Sequence, residues 1–270
     1  MYHLITSLYT EWTRKPRYNV LIVGPSGVGK SCLLEKIKSL YLKRPALSPN
    51  KIAPTVGQNV FELTLPSMHL HFWDLGGSPS VRTLWSKYFD ESDAIVWTVD
   101  ARHWVNLSAG EDGDRKGKRK EGDVGSEAFQ ARELGWKLLS EALMHPSLES
   151  RPILVIANKA DDCESLPFDL TCTIKAWFAD KLAHIDDEPD QSNVESRAIQ
   201  GNEKSGGNIF ADDDDDAPYH RPTATTSLTM NDRDYEWDVL LSSAIEGTGV
   251  HDAVDWLSIR VQASRNGRTT

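Results

Sequence analysis

The segment that most constrains this chain is an eight-residue stretch, residues 24–31, with the sequence GPSGVGKS. It follows an apolar run at residues 18–23, which is typical of a buried strand, and it leads into helical periodicity over residues 30–41. Glycines let the backbone curl, so that its N–H groups and the helix N-terminus face one point. A strand, a glycine-rich turn of this spacing and a helix together predict a phosphate-binding loop.

Each position of this loop has an expected role in holding a nucleotide. Lys30 would reach the β and γ phosphates, and the Ser31 hydroxyl would be a ligand of Mg²⁺. Further contacts are expected along the loop and the first helical turn, from Gly24, Pro25, Ser26, Gly27, Val28, Gly29 and Cys32. The loop by itself does not decide between ATP and GTP.

A second motif, NKAD at residues 158–161, directly follows an apolar run at residues 152–157 and bears on the base. The carboxylate of Asp161 can accept from the N1–H and the 2-amino group of guanine, whereas adenine offers no such pair of donors. A Ser-Ala pair after the next predicted strand would present a backbone N–H to the guanine O6. The residues expected at the base are Asn158, Lys159, Asp161, Ser243 and Ala244. This order favours guanine, and Asp161 argues against an ATP-using kinase or ATPase.

Two loops between these motifs are candidate sensors of the γ phosphate. Thr55 would complete the Mg²⁺ shell with its hydroxyl, and Asp74, in the third strand, would hold the ion through water. The N–H of Gly77 would bind the γ phosphate. Such contacts exist only with the triphosphate, so they order both loops in one state and release them in the other. We therefore predict a GTP/GDP switch in which Lys30, Thr55 and Gly77 also serve GTP hydrolysis.

Strands alternate with helices along the chain, which predicts a mostly parallel sheet with helices on both faces. The stretches at residues 73–77 (WDLGG) and 84–89 (LWSKYF) resemble the Arf and Arf-like small GTPases, as do residues 54–57 and 254–257. The resemblance implies an α/β, three-layer P-loop fold of the Ras-like type, with six strands in the sheet. Residues 1–9 and 48–52 are most similar to the Arf-related proteins of the Golgi.

The resemblance also implies partners and a location. It implies a cytoplasmic regulator of vesicle traffic, peripherally attached to the trans-Golgi membrane, that works with an exchange factor, a GTPase-activating protein, a Golgi membrane receptor and effectors. The family's effector surface falls on Gln58, Trp73 and Tyr88, of which Gln58 is polar where the family has an apolar residue. Tyr2 excludes the N-terminal myristoylation of Arf itself and suits an acetylated start. A monomer without nucleic-acid partners is expected.

Ser78 departs from the family at the position that matters most for hydrolysis. The residue after the double glycine is usually the glutamine that orients the attacking water. A serine hydroxyl is too short to position that water in the same way. The resemblance therefore implies a GTP hydrolase that is slow without an activating protein, and the alternative is a GTP-binding scaffold without hydrolysis.

Two polar segments interrupt the alternation of strands and helices. Residues 106–126 are rich in glycine and charge, and residues 186–234 include five consecutive aspartates, so both are predicted to be disordered insertions. Most of the net charge of −10 lies in residues 186–217, which carry eleven acidic and two basic residues. The predicted organisation is an amphipathic helix at residues 1–16, one GTPase domain at residues 17–262 and a flexible tail at residues 263–270.

The cysteines and the hydropathy indicate a soluble protein of a reducing compartment. Cys32, Cys163 and Cys172 show neither paired nor metal-ligand spacing. No run of the chain approaches the roughly 18 apolar residues that a membrane-spanning helix needs.

Overall fold

The computed structural model describes residues 15–105, 124–163, 167–185 and 236–267. Six strands form one sheet in the order β2-β3-β1-β4-β5-β6. The strands are β1 (Arg17–Val23), β2 (Gln58–Thr64), β3 (His69–Leu75), β4 (Ala94–Asp100), β5 (Ile153–Asn158) and β6 (Trp237–Ser242). The helices are α1 (Lys30–Leu42), α2 (Pro79–Arg82), α3 (Ser86–Phe89), α4 (Val124–Leu143), α5 (Pro167–Ala183) and α6 (Val250–Gly267).

All strand pairs are parallel except β2 with β3, which a tight turn joins through a hydrogen bond from Leu65 N to Met68 O of 2.8 Å. Parallel strands end at the same edge of a sheet. The loops after β1, β3, β4, β5 and β6 therefore meet there, and this is where ligands bind in sheets of this kind. The motifs found in the sequence lie at this edge, including Thr55, which precedes the antiparallel strand β2 where that strand pairs with the end of β3.

The sheet is covered on both faces, as the sequence predicts. All seven residues of β4 and all six of β5 are buried, which explains their nearly continuous apolar sequences. One core packs α4 and α5 on the sheet through Trp136 and Phe178, and the other packs α1 and α6 through Leu33 and Val254. The predicted α/β, mostly parallel, six-stranded fold is therefore confirmed.

Predicted boundaries differ from the structure at the start of α4 and at the end of α6. Helix α4 begins at Val124, so residues 124–126 are helical and do not belong to an insertion; Glu127 lies within the first turn, where a carboxylate interacts favourably with the free N–H groups. Helix α6 continues to Gly267, so residues 263–267 are not a flexible tail. Arg265 at its end donates to the Arg17 carbonyl oxygen at 3.2 Å and lies over the Tyr18 ring.

Most of the predicted N-terminal helix and of the two insertions lies outside the described residues. Residues 15 and 16 at the end of that predicted helix are not helical. Within the described ranges, no helix has the length and apolar character needed to cross a bilayer.

Candidate guanine-nucleotide site

The loop between β1 and α1 has the curled backbone that a phosphate site requires. Gly24, Gly27 and Gly29 have φ angles of 142°, 82° and 94°, a range in which residues with a Cβ are strained. Space is also limiting, because a Cβ on Gly24 would overlap the carbonyl oxygen of Thr98 and one on Gly29 would overlap the side-chain amide of Asn158. The loop therefore lies directly against the ends of β4 and β5.

Lys30 is the buried cation of this loop, with 7% of its surface exposed. Its ammonium group donates to the carbonyl oxygens of Gly24, at 2.9 Å, and of Pro25, at 2.7 Å. Burial lowers the pKa of Lys30 to about 8, although the carboxylate of Asp74 acts in the opposite direction. Two of the three ammonium protons are used by the loop, which leaves one for a phosphate oxygen.

The other predicted contacts of the loop fall into an exposed tip and a half-buried helical turn. Ser26 and Gly27 are exposed, and Val28 is buried. Cys32 is half-buried in the first turn of α1, where burial raises the pKa of its thiol. The thiol is therefore protonated near neutral pH.

Ser31, Thr55 and Asp74 converge, although α1, the loop before β2 and β3 supply them. Ser31 Oγ donates to Asp74 Oδ2 at 2.6 Å and lies 2.7 Å from Thr55 Oγ1. Asp74 is completely buried, and its Oδ1 has no hydrogen-bond partner among the described residues. Burial raises the pKa of Asp74, while the hydrogen bond from Ser31 opposes the rise. A buried carboxylate with a free oxygen beside two hydroxyls is the oxygen donor set that Mg²⁺ prefers, so these residues fit the ion.

The double glycine after β3 lies against the phosphate loop. A Cβ on Gly77 would come within 2.7 Å of Lys30 Nζ, so only a glycine allows this approach without displacing the lysine. Arg82 Nε donates to the Gly77 carbonyl oxygen at 2.8 Å, and Trp85 Nε1 donates to that of Gly76 at 3.1 Å. These two bonds fix the orientation of the peptide units beside Lys30. Sequence reasoning missed Arg82, which no motif marks.

Ser78 directly precedes the one-turn helix α2. Its backbone is extended, and Pro79 starts the helical turn with the φ angle that a first position requires. The Ser78 hydroxyl lies 3.3 Å from the hydroxyl of Ser80 in the same turn. The Ser78 side chain therefore has a hydrogen-bonding neighbour in the helix that follows it.

Asn158, the last residue of β5, joins the predicted base site to the phosphate loop. Its Nδ2 donates to the Val28 carbonyl oxygen at 2.9 Å, and its Oδ1 accepts from Ala244 N at 3.0 Å. Ser243 is completely buried, and its hydroxyl accepts from Glu246 N at 2.9 Å, which closes the turn after β6. One side chain thus holds three loops in register, and both of its polar ends are used within the protein.

Lys159 and Asp161 follow at the same edge of the sheet. Lys159 has a left-handed backbone, with φ of 67°, and its Nζ donates at 2.8 Å to both Gly27 O and Asp100 Oδ2. Asp161 lies in a short 3₁₀ helix (Ala160–Asp162) and is exposed. Its carboxylate is accessible to a base that enters beside Lys159.

Sequence reasoning also missed Asp100 and Arg102, two residues at the end of β4 that contact the loop of Lys159 and Asp162. Asp100 Oδ1 accepts from Arg102 Nε at 2.9 Å, and Oδ2 accepts from Nη2 at 2.8 Å. Arg102 Nη1 also reaches Asp162 Oδ2 at 3.3 Å. Burial alone would raise the pKa of Asp100, but the hydrogen bonds from Arg102 and Lys159 lower it to about 2. The sequence feature that could have revealed this ion pair is an acidic and a basic residue two positions apart at the end of β4.

The predicted effector residues Gln58, Trp73 and Tyr88 are in contact, although β2, β3 and α3 supply them. The rings of Trp73 and Tyr88 pack edge to face with centroids 5.3 Å apart. The Tyr88 hydroxyl donates to Gln58 Oε1. This hydrogen bond accommodates the polar side chain of Gln58 in an otherwise aromatic cluster.

The fold and this arrangement of loops define a P-loop protein of the guanine-nucleotide-binding class. The family model described as the ADP-ribosylation factor family matches residues 3–111. ADP-ribosylation factor-related protein 1 of Rattus norvegicus is 32% identical over 188 residues, which cover 68% of this chain and 79% of that protein. ADP-ribosylation factor-like protein 3 of Saccharomyces cerevisiae is 28% identical over 99% of this chain and 98% of its own length.

A solved structure shares the fold. The Arl6 BBS3 small GTPase from Trypanosoma brucei, with the bound nucleotide analogue GppNp, aligns with a TM-score of 0.51 at 19% identity over 92% of this chain and 99% of that one. The chain thus belongs to the ADP-ribosylation factor family of small GTPases. Members of this family bind GTP and GDP and hydrolyse GTP, and they act with exchange factors, activating proteins and effectors.

Proposed function

We propose that this chain is a GTP/GDP switch that hydrolyses GTP slowly and acts at Golgi membranes. The observation that carries the nucleotide assignment is the side chain of Asn158, which ties the loop of Asp161 and the turn at Ala244 to the phosphate loop. Phosphate and base contacts are thereby held at a fixed separation. A nucleotide that spans both regions meets a carboxylate at one end and Lys30 at the other.

Mg²⁺ belongs to the same proposal. Ser31, Thr55 and Asp74 would hold it, and the ion would supply charge neutralisation for the β and γ phosphates. Thr55 and Gly77 are the residues whose contacts depend on the γ phosphate. Since each lies in a separate loop against the phosphate loop, loss of that phosphate removes a tie from both loops at once.

The base assignment is tested by reversing the hydrogen-bonding character of Asp161. Asp161→Asn replaces an acceptor by a donor, so GDP should bind about 100-fold more weakly or worse, while xanthosine diphosphate, which carries an oxygen at position 2, should bind more tightly. Both affinities are measured by calorimetry on nucleotide-free protein. The matched control is Asp162→Asn. It removes only an exposed ion pair with Arg102, so GDP binding should change by about fivefold at most. Unchanged GDP affinity in Asp161→Asn would remove the basis of the assignment.

A GTP-binding scaffold without hydrolysis is the second candidate, and Ser78 is the observation that favours it. The side chain at this position is short, and its hydroxyl neighbours Ser80 in the same helical turn. Release of phosphate from bound GTP, with and without an Arf-family activating protein, separates the two candidates. Phosphate release that equals the protein-free rate under both conditions would establish the scaffold.

The membrane and partner assignments rest on sequence resemblance. The similarity to Arf-related proteins supports recruitment by a Golgi membrane receptor, and the surface of Gln58, Trp73 and Tyr88 is the proposed effector site. A fluorescent protein fused at the C-terminus, which leaves Tyr2 free, should colocalise with a trans-Golgi marker. Ser31→Asn, which removes a proposed Mg²⁺ ligand, should make the fusion diffuse. A wild-type fusion that is diffuse would contradict the location.

A further inference from the structure

Trp85 is a buried residue of the stretch at residues 84–89, and the proposed function gives it no role. Its ring packs edge to face on that of Trp97, with the centroids 5.9 Å apart. Trp97 belongs to β4 and is completely buried. The indole of Trp85 is therefore anchored in the core of the sheet, although the residue itself lies between the short helices α2 and α3.

The anchored indole holds one carbonyl oxygen of the double glycine. Trp85 Nε1 donates to Gly76 O at 3.1 Å, and Gly76 N donates to Gly57 O, also at 3.1 Å. A Cβ on Gly76 would come within 2.4 Å of the carbonyl oxygen of Thr55, so this glycine lies directly against the loop before β2. Both backbone polar groups of Gly76 are thus bonded, one to the core side and one to the loop of Thr55.

The peptide unit that Trp85 holds ends in the N–H of Gly77. The peptide bond is trans, so the Gly76 carbonyl and the Gly77 N–H point in opposite directions. This N–H has no hydrogen-bond acceptor among the residues that the structure describes, and a Cβ on Gly77 would lie 2.7 Å from Lys30 Nζ. An unused donor therefore lies close to the buried ammonium group, and the bond from Trp85 to the other end of the peptide unit sets its direction.

We propose that Trp85 is a positioning residue for the γ phosphate, and that its indole N–H supplies part of the preference for GTP over GDP. This inference rests on the proposed function, in which the Gly77 N–H binds the γ phosphate. A donor that is already oriented binds an anion without the cost of ordering the loop. A hydrogen bond to the carbonyl oxygen also polarises the N–H of the same peptide unit, which strengthens its bond to an anion. GDP lacks the γ phosphate, so its affinity does not depend on this peptide unit.

Removal of the indole N–H tests the role of Trp85. Trp85→Phe keeps an aromatic ring in the core and removes the donor. In the full-length protein it should weaken binding of the β,γ-imido analogue of GTP about fivefold or more and binding of GDP less than about twofold. Both affinities are measured with Mg²⁺ on nucleotide-free protein, by displacement of a fluorescent GDP derivative. The change in their ratio measures the coupling between the indole N–H and the γ phosphate, which a general loss of stability would not alter.

Trp256→Phe is the matched control. The Nε1 of this tryptophan of α6 has no hydrogen-bond partner in the part of the chain that the structure describes, so its removal should change both affinities less than about twofold. Melting temperatures of the GDP-loaded proteins establish that each variant is folded. If Trp85→Phe does not fold, Trp85 is replaced by benzothienylalanine, in which a sulfur atom takes the place of the N–H in a ring system of nearly the same shape.

The outcomes separate this role from the proposed function. Equal losses of both nucleotides in the Trp85 variant, or no loss of either, would overturn the positioning role and leave the nucleotide assignment intact. A selective loss of the GTP analogue in Trp256→Phe would also overturn it, because that indole donates to no group near the site. Wild-type protein that binds neither nucleotide would overturn the proposed function, and this inference with it.

Discussion

Two residues, Ser78 and Lys30, bear most directly on the chemistry that we propose for this protein. Ser78 stands at the position after Gly77, where the resemblance to Arf proteins implies a glutamine, and its hydroxyl lies 3.3 Å from that of Ser80. Lys30 is buried against two carbonyl oxygens and has a lowered pKa. We expect Ser78 to limit the positioning of the attacking water, and we expect Lys30 to link nucleotide binding to proton uptake.

Replacing Ser78 by glutamine should accelerate GTP hydrolysis. Ser78→Gln supplies a longer side chain that ends in a carboxamide, so the single-turnover rate of GTP hydrolysis should rise about tenfold or more, as expected for a group that orients the attacking water. Ser80→Gln, two residues further along α2, is the matched control and should leave the rate unchanged. Equal rates in wild type and Ser78→Gln would show that this position does not limit turnover.

Nucleotide binding should take up protons in mildly alkaline solution. The pKa of Lys30 in the free protein is about 8, and bound phosphates raise it by favouring the ammonium form. At pH 8 about half of the free molecules carry a neutral Lys30, so GDP binding should take up about half a proton. Calorimetry at one pH in buffers of different ionisation enthalpy measures this number. At about pH 6.5 the lysine is already charged and the uptake should vanish; identical values at both pH would refute the link.

At the scale of elements, the short connection after β4 contacts the loop after β5, which carries the proposed base-binding residue Asp161. A 3₁₀ helix (Ala101–Trp104) turns the chain so that Arg102 folds back onto Asp100 and reaches Asp162 in the neighbouring loop. Lys159 shares the same carboxylate from the other side. The end of β4, the loop after β5 and the phosphate loop are thus joined through one buried acid.

Removing the negative charge of Asp100 should weaken the contacts that join these loops. Asp100→Asn keeps the shape but leaves two cations facing an amide, so the free energy of unfolding should fall by about 2 kcal/mol. The folded pKa of Asp100, about 2, lies below its ordinary value of 3.8, so its contribution to stability is fully present above roughly pH 4 and is lost as pH falls through about 2. Urea unfolding at neutral pH, with Asp162→Asn as the exposed control, measures the loss. Equal, small effects of both variants would contradict the role of Asp100.

At the scale of the molecule, the long elements followed from the sequence because their patterns are periodic. The apolar run at residues 152–157 and the observed β5 differ by one residue at each end, since a strand buried on both faces reads as a nearly unbroken apolar run. Helices α2 and α3 were missed, because one helical turn has no period to detect. Contiguous motifs identified Lys30 and Asp161 as site candidates. Arg82, Asp100 and Arg102 escaped because their roles depend on contacts between distant loops, which no single stretch of sequence contains.

The hydrogen bond from Ala244 N to the Asn158 side chain has a practical consequence for the whole molecule. Residues 236–267 bring the last strand, the turn at Ala244 and the last helix from beyond the long acidic segment. Two separate polypeptides, one ending at residue 185 and one starting at residue 236, would each carry an incomplete base site. Because a ligand that binds only the assembled form favours assembly, GDP should drive the two pieces together. Such a pair would work as a genetically encoded split reporter for guanine nucleotides.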